Sequence, residues 1–76
     1  MSAERRRARW AIRYAEEQAF FYREHFETGE HLAIAEAYED FLSNYDIDDL
    51  CMAWRSEPPE SKAEAEGWVD FLAGLE

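Results

Sequence analysis

Apolar and polar positions along this chain repeat with the 3.6-residue period of an α-helix, and nowhere with the two-residue alternation of a strand. In the first third, Ala8, Ile12, Ala15, Ala19, Tyr22 and Phe26 recur at spacings of 4, 3, 4, 3 and 4, which stacks them in one stripe. Ser2 is placed to cap this helix and Gly29 to end it, so the pattern predicts a helix from Ala3 to about Glu27. The three alanines in the seam allow close approach of a neighbouring helix. A second apolar set, Trp10, Tyr14, Phe21 and His25, lies about 100° or more around the same helix, too far for one neighbour to cover both.

A second helix is predicted from about Glu30 to Asn44. Ile34, Ala37, Tyr38, Phe41, Leu42 and Tyr45 form its stripe, with Glu36, Glu39 and Asp40 facing outward. Asp46, followed by Asp49 at the third helical position, opens a short helix carrying Ile47, Leu50, Cys51 and Trp54. Pro58 and Pro59 interrupt the chain. The pair Ser61 and Glu64 then has the spacing of a capping box for a last helix of roughly Lys62 to Ala73, with Ala65, Trp68, Val69, Leu72 and Leu75 on its inner stripe. The expectation is a single all-α domain of four helices spanning residues 1–76, one long and three short, with Trp54 and Trp68 sharing a core with Ile34, Phe41 and Leu72.

Composition sharpens this picture. At 76 residues there is material for one small core, and a domain of this size is marginally stable alone. A first helix with so wide an apolar arc is therefore expected to bury Trp10, Tyr14 and Phe21 in a homodimer. The aromatic content of 16% excludes the composition of a disordered chain. With the single cysteine Cys51 no internal disulfide can form, the run from Met1 to Arg7 lacks the apolar stretch of a signal peptide, and no segment is apolar enough to span a membrane. A cytoplasmic location, without membrane contact, is the expectation.

Charge is the most informative departure from the ordinary. The net value is −10, divided unequally: residues 1–38 hold six Arg and seven Glu, whereas residues 39–76 hold eleven acids against Arg55 and Lys62. Such a field repels nucleic acid and attracts basic partners. Glu36 with Asp40, and Glu66 with Asp70, are like-charge pairs at i, i+4, each costing a helix about 0.2–0.5 kcal/mol, so folding alone does not ask for them. Together with Glu39 they make an acidic face able to meet arginines and lysines much as successive phosphates do. Phe20, placed by the helical wheel among Arg9, Arg13, Glu16 and Glu27, is a candidate contact residue alongside Trp10, Tyr14 and Phe21. The arginines Arg5, Arg6, Arg7, Arg9 and Arg13 are expected to be balanced by the acidic second half of the chain or of a dimer mate, not by direct contact with nucleic acid.

Catalytic chemistry finds no foothold. There is no glycine-rich phosphate loop, no serine beside His25 or His31, and Cys51 sits on an apolar stripe; no cofactor is expected. Glu24, His25, Glu27, Glu30 and His31 gather around one turn, but lack the Glu-x-x-His spacing of a carboxylate-bridged metal bundle. The chain is thus read as a small acidic protein that occupies a basic, nucleic-acid-binding surface of a larger protein and so inhibits it. In size and charge it is similar to phage-encoded anti-CRISPR proteins and DNA mimics. The alternatives are a homodimeric assembly or adaptor module and an acidic protein of the immunity or antitoxin type.

Overall fold

The computed structural model describes residues 3–25 and 29–75. Four helices run through them in the order α1 (Ala3–His25), α2 (Gly29–Asn44), α3 (Ile47–Ala53) and α4 (Lys62–Leu72), and no strand occurs among the described residues. The bounds of α2 and α4 agree with the expected ones to within one residue, but Gly29, expected to end the first helix, is the first residue of α2. The cap expected of Ser2, and the positions of Phe26 and Glu27, lie outside the described residues.

α1 is the spine. Its 23 residues make about 34 Å of helix at about 1.5 Å per residue, close to the 38 Å long dimension of the molecule. α2 returns antiparallel along it: Tyr22 of α1 stacks on His31 near the start of α2, and Tyr14 meets Tyr38 two turns on, edge to face at 6.0 Å. α3 sits beside the first turns of α1, where Arg5 pairs with Asp48 at 2.8 Å. α4 begins at that same end and runs parallel to α1, so that Trp10 lies against Glu66 and Tyr14 against Asp70. Three helices thereby cover one half of the spine.

The core is built from small side chains on α1 and large ones on its neighbours. Ala8, Ala11, Ala15 and Ala19 are buried, and Phe41, Leu50, Trp54 and Val69 pack into the space they leave. This corrects the expected stripe: Ala11 occupies the seam, while Ile12 and Tyr22 flank it half-buried. An alanine ridge allows the closest approach of α2 and α4, and dense packing then rewards large residues opposite it. Trp54 and Trp68 do share one core with Ile34, Phe41 and Leu72, Trp54 fully buried and Trp68 partly. Among the described residues the Trp54 indole N–H has no acceptor, a cost of about 1–3 kcal/mol that the packing around it must exceed.

The helix ends follow their sequence signals closely. At α3, Asp46 Oδ1 accepts from the Asp49 N–H at 2.8 Å while Asp49 Oδ2 accepts from the Asp46 N–H at 3.1 Å, a complete capping box. At α4, Ser61 Oγ accepts from the Glu64 N–H, but the Glu64 carboxylate reaches one residue further back, to the Glu60 N–H at 2.7 Å. Gly74 closes α4 with φ of 79°, letting the Gly74 N–H reach the Phe71 carbonyl and the Leu75 N–H reach that of Asp70. Arg7 donates to the Pro59 carbonyl at 2.8 Å and so ties the α3–α4 connection to the spine. Among the described residues no helix is long and apolar enough to cross a membrane.

Candidate functional site

The acidic residues divide into two groups with different work. Glu66 and Asp70, expected to project into water, instead face α1 and are half-buried. Glu66 Oε2 accepts from the Trp10 indole N–H at 3.2 Å. Asp70 Oδ1 accepts from the Tyr38 hydroxyl at 2.7 Å and from the Tyr14 hydroxyl at 3.2 Å. The physical reason is that Tyr38 is 4% exposed, and a buried hydroxyl needs an acceptor. Burial, above all, pushes the Tyr38 phenol far above its ordinary range, its bonds to Tyr14 and Asp70 acting the same way. Tyr14 is raised as well, by burial first; the charges of Asp70 and Glu66 add to this, and its hydrogen bond to Tyr38 works against it.

Trp10 and Tyr14, expected on a dimer face, are therefore occupied within the chain: α4 covers that side of the spine, and Lys62 Nζ sits 4.3 Å from the Trp10 ring centre. A signal for this was present in the sequence. Trp10 and Tyr14 are four residues apart, as are Glu66 and Asp70, so two donors on one helix match two acceptors on a parallel neighbour. Glu39 is likewise engaged: Arg23 grips it bidentately, at 2.6 and 2.9 Å, and joins α1 to α2. Of the basic run, Arg5 and Arg7 bind the second half of the chain as expected, whereas Arg6, Arg9 and Arg13 remain on the outer side of α1. Phe20, 64% exposed, stands among them, and Phe21 is also exposed, stacked on His25.

Glu36 and Asp40 behave differently from the other predicted acids. Both are exposed, and among the described residues neither takes part in an ion pair. They stand one turn apart on α2, about 5–6 Å between Cβ atoms, at the edge of a shallow groove of about 250 Å³. Its remaining wall is apolar apart from Asn44: Ala33, Ala37 and Phe41 from α2, Leu72 and Ala73 from the end of α4. The groove opens between the two helices beyond Asp70, which joins α4 to Tyr38 of α2 and Tyr14 of α1, while Glu66 holds α4 to Trp10 of α1. Ala33, Asn44 and Ala73 were not foreseen as site residues, since a groove between two helices depends on their relative tilt.

A small apolar floor beside two exposed carboxylates matches the chemistry of an arginine or lysine side chain. The aliphatic stem of such a side chain would lie on the alanines and leucine, and its charged head would meet the carboxylates. Around the α1–α2 turn, Glu24, His25, Glu30 and His31 do not converge, and among the described residues no group of three acids, histidines or cysteines is arranged to hold a metal ion; Glu27 lies outside them. No family model matches this chain, and no curated protein and no solved structure matches it either.

Proposed function

We propose that this chain is a protein-binding protein whose α2–α4 groove takes a basic side chain from a larger partner, covering a basic surface that otherwise meets nucleic acid. The observation that supports it is the exposed, unpaired couple Glu36 and Asp40 on the rim of an apolar groove. Two carboxylates held a helical turn apart repel each other by about 0.2–0.5 kcal/mol, a small loss that a bound guanidinium reverses. Glu66, Asp70 and Glu39 do not belong to the binding face, because their oxygens are already engaged inside the chain. The net charge of −10 supplies long-range attraction to the partner, and the groove supplies the local fit.

The test is titration of an arginine-rich peptide against the chain labelled for backbone NMR. Shifts are expected to concentrate at Ala33, Ala37 and Leu72, and Glu36→Gln with Asp40→Asn is expected to weaken binding about tenfold, or about 1.4 kcal/mol. A control removing the same charge elsewhere, Glu4→Gln with Glu57→Gln, should leave most of the affinity. Equal losses in both variants would mean diffuse attraction to an acidic body and would remove the groove from the mechanism.

A further inference from the structure

The outer side of α1, which no other helix covers, carries a charge pattern complementary to itself. Arg6, Arg9 and Arg13 occupy its N-terminal half, Glu16, Glu17 and Glu24 its C-terminal half, and all six are exposed. They lie on one stripe: Arg6 and Glu24 are eighteen residues apart, about five whole turns, and so point the same way. Its three arginines and three glutamates balance within a chain of net −10, with Lys62 of α4 flanking the arginine half. On such a surface a second copy meets far less repulsion than the net charge of the chain implies. Phe20, 64% exposed, sits inside it with charges on either side.

We infer that two copies of the chain associate through this face, with their α1 helices side by side and antiparallel about a two-fold axis level with Ala15. In that register, residues whose numbers sum to 29 or 30 lie opposite one another. Arg6 meets the second copy's Glu24, Arg13 meets its Glu16 and Glu17, and Arg9 lies over its Phe20, each contact occurring twice by symmetry. A parallel arrangement would set arginine against arginine and glutamate against glutamate, so the charges select the antiparallel one. Within one chain Arg13 approaches Glu17 only to 3.9 Å, leaving its guanidinium able to turn to a second copy. The face is distinct from the Glu36 and Asp40 groove, which lies between α2 and α4, so each copy keeps its groove open. Trp10 and Tyr14 take no part, being held by α4.

Sedimentation velocity on the purified chain at about 100 µM, with helicity checked by circular dichroism, tests this. The wild type is expected to sediment at twice the 9.0 kDa chain mass. Phe20→Glu, Arg6→Glu and Glu24→Arg are each expected to raise the dissociation constant about tenfold or more. The decisive variant is Arg6→Glu combined with Glu24→Arg, which restores the net charge of the wild type and, in an antiparallel pair only, also restores opposite charges across the axis. Its recovery of the dimer carries the proposal. A wild type that stays monomeric, a dimer indifferent to the single substitutions, or a double variant as weak as the singles would overturn it.

Discussion

Replacing Asp70 separates a structural carboxylate from a functional one. Asp70 holds Tyr38 at 2.7 Å and Tyr14 at 3.2 Å, and the alternative partner left to a stranded Tyr38 hydroxyl is that of Tyr14, at 3.5 Å. A hydrogen bond to a charged group contributes about 1.5–3 kcal/mol, and the longer, more exposed bond from Tyr14 less, so Asp70→Ala forfeits about 2–4 kcal/mol. Two terms oppose this. Alanine is the better helix former by about 0.5 kcal/mol, and removing Asp70 relieves its repulsion from Glu66 by about 0.2–0.5 kcal/mol. The expected net loss is about 1–3 kcal/mol, a large part of the about 4–11 kcal/mol typical of a domain this long.

Urea denaturation followed by far-ultraviolet circular dichroism and tryptophan fluorescence measures it, provided the slope with denaturant is unchanged. Asp70→Asn, which keeps an acceptor but no charge, should lose about half as much. Tyr38→Phe combined with Asp70→Ala should cost less than the two added, because both remove one bond. An Asp70→Ala variant as stable as the wild type would show that the network contributes nothing, and would return Asp70 to the acidic surface where its position in the sequence puts it.

The raised Tyr14 and Tyr38 predict alkaline sensitivity: neutral phenol is favoured in the folded state, so their stabilisation is fully present below about pH 10, the unfolded value, and is lost as pH climbs above it. The denaturation midpoint should therefore fall above about pH 10, less steeply in Tyr38→Phe, and a decline as steep in that variant would contradict the assignment. Gly67 inside α4 and Gly74 just past its end have opposite signs. Gly67→Ala meets nothing within 4 Å and should stabilise by about 0.5–1 kcal/mol, whereas Gly74→Ala, at φ of 79°, should destabilise by about 1 kcal/mol, both read from thermal or urea unfolding.

The helices were legible because their signals are local. Asp46 with Asp49, Ser61 with Glu64, and the paired prolines each act within a few residues, and the observed caps use those side chains. Which residues form the seam was less legible: Ala11 and Ala35 are weak apolar signals individually, yet both are fully buried, because close helix approach selects small size over hydrophobicity. The acids were misread for a related reason. Glu66 and Asp70 look solvent-facing in a local window, and the groups that draw them inward, Trp10, Tyr14 and Tyr38, are 32 to 56 residues away. Only a comparison of donor and acceptor spacings between helices would have placed them.

The redistribution of acids changes what kind of recognition this surface supports. Mimicry of a nucleic-acid backbone needs a regular series of free carboxylates, and the pair on α4 is withdrawn from any such series by its bonds to Trp10 of α1 and Tyr38 of α2. Beside the groove on α2 stands one couple without an ion pair among the described residues, Glu36 and Asp40, set against an apolar floor. A surface of that kind reads one side chain well and does not follow a long phosphate track, so its selectivity should rest on the shape of a single arginine or lysine anchor. Arginine is the better match, because its planar fork can engage both carboxylates at once, where an ammonium group presents only a point charge. If α1 also joins two copies, two such grooves are presented together. A partner offering two basic anchors at the right separation would then gain by avidity what each shallow groove lacks alone.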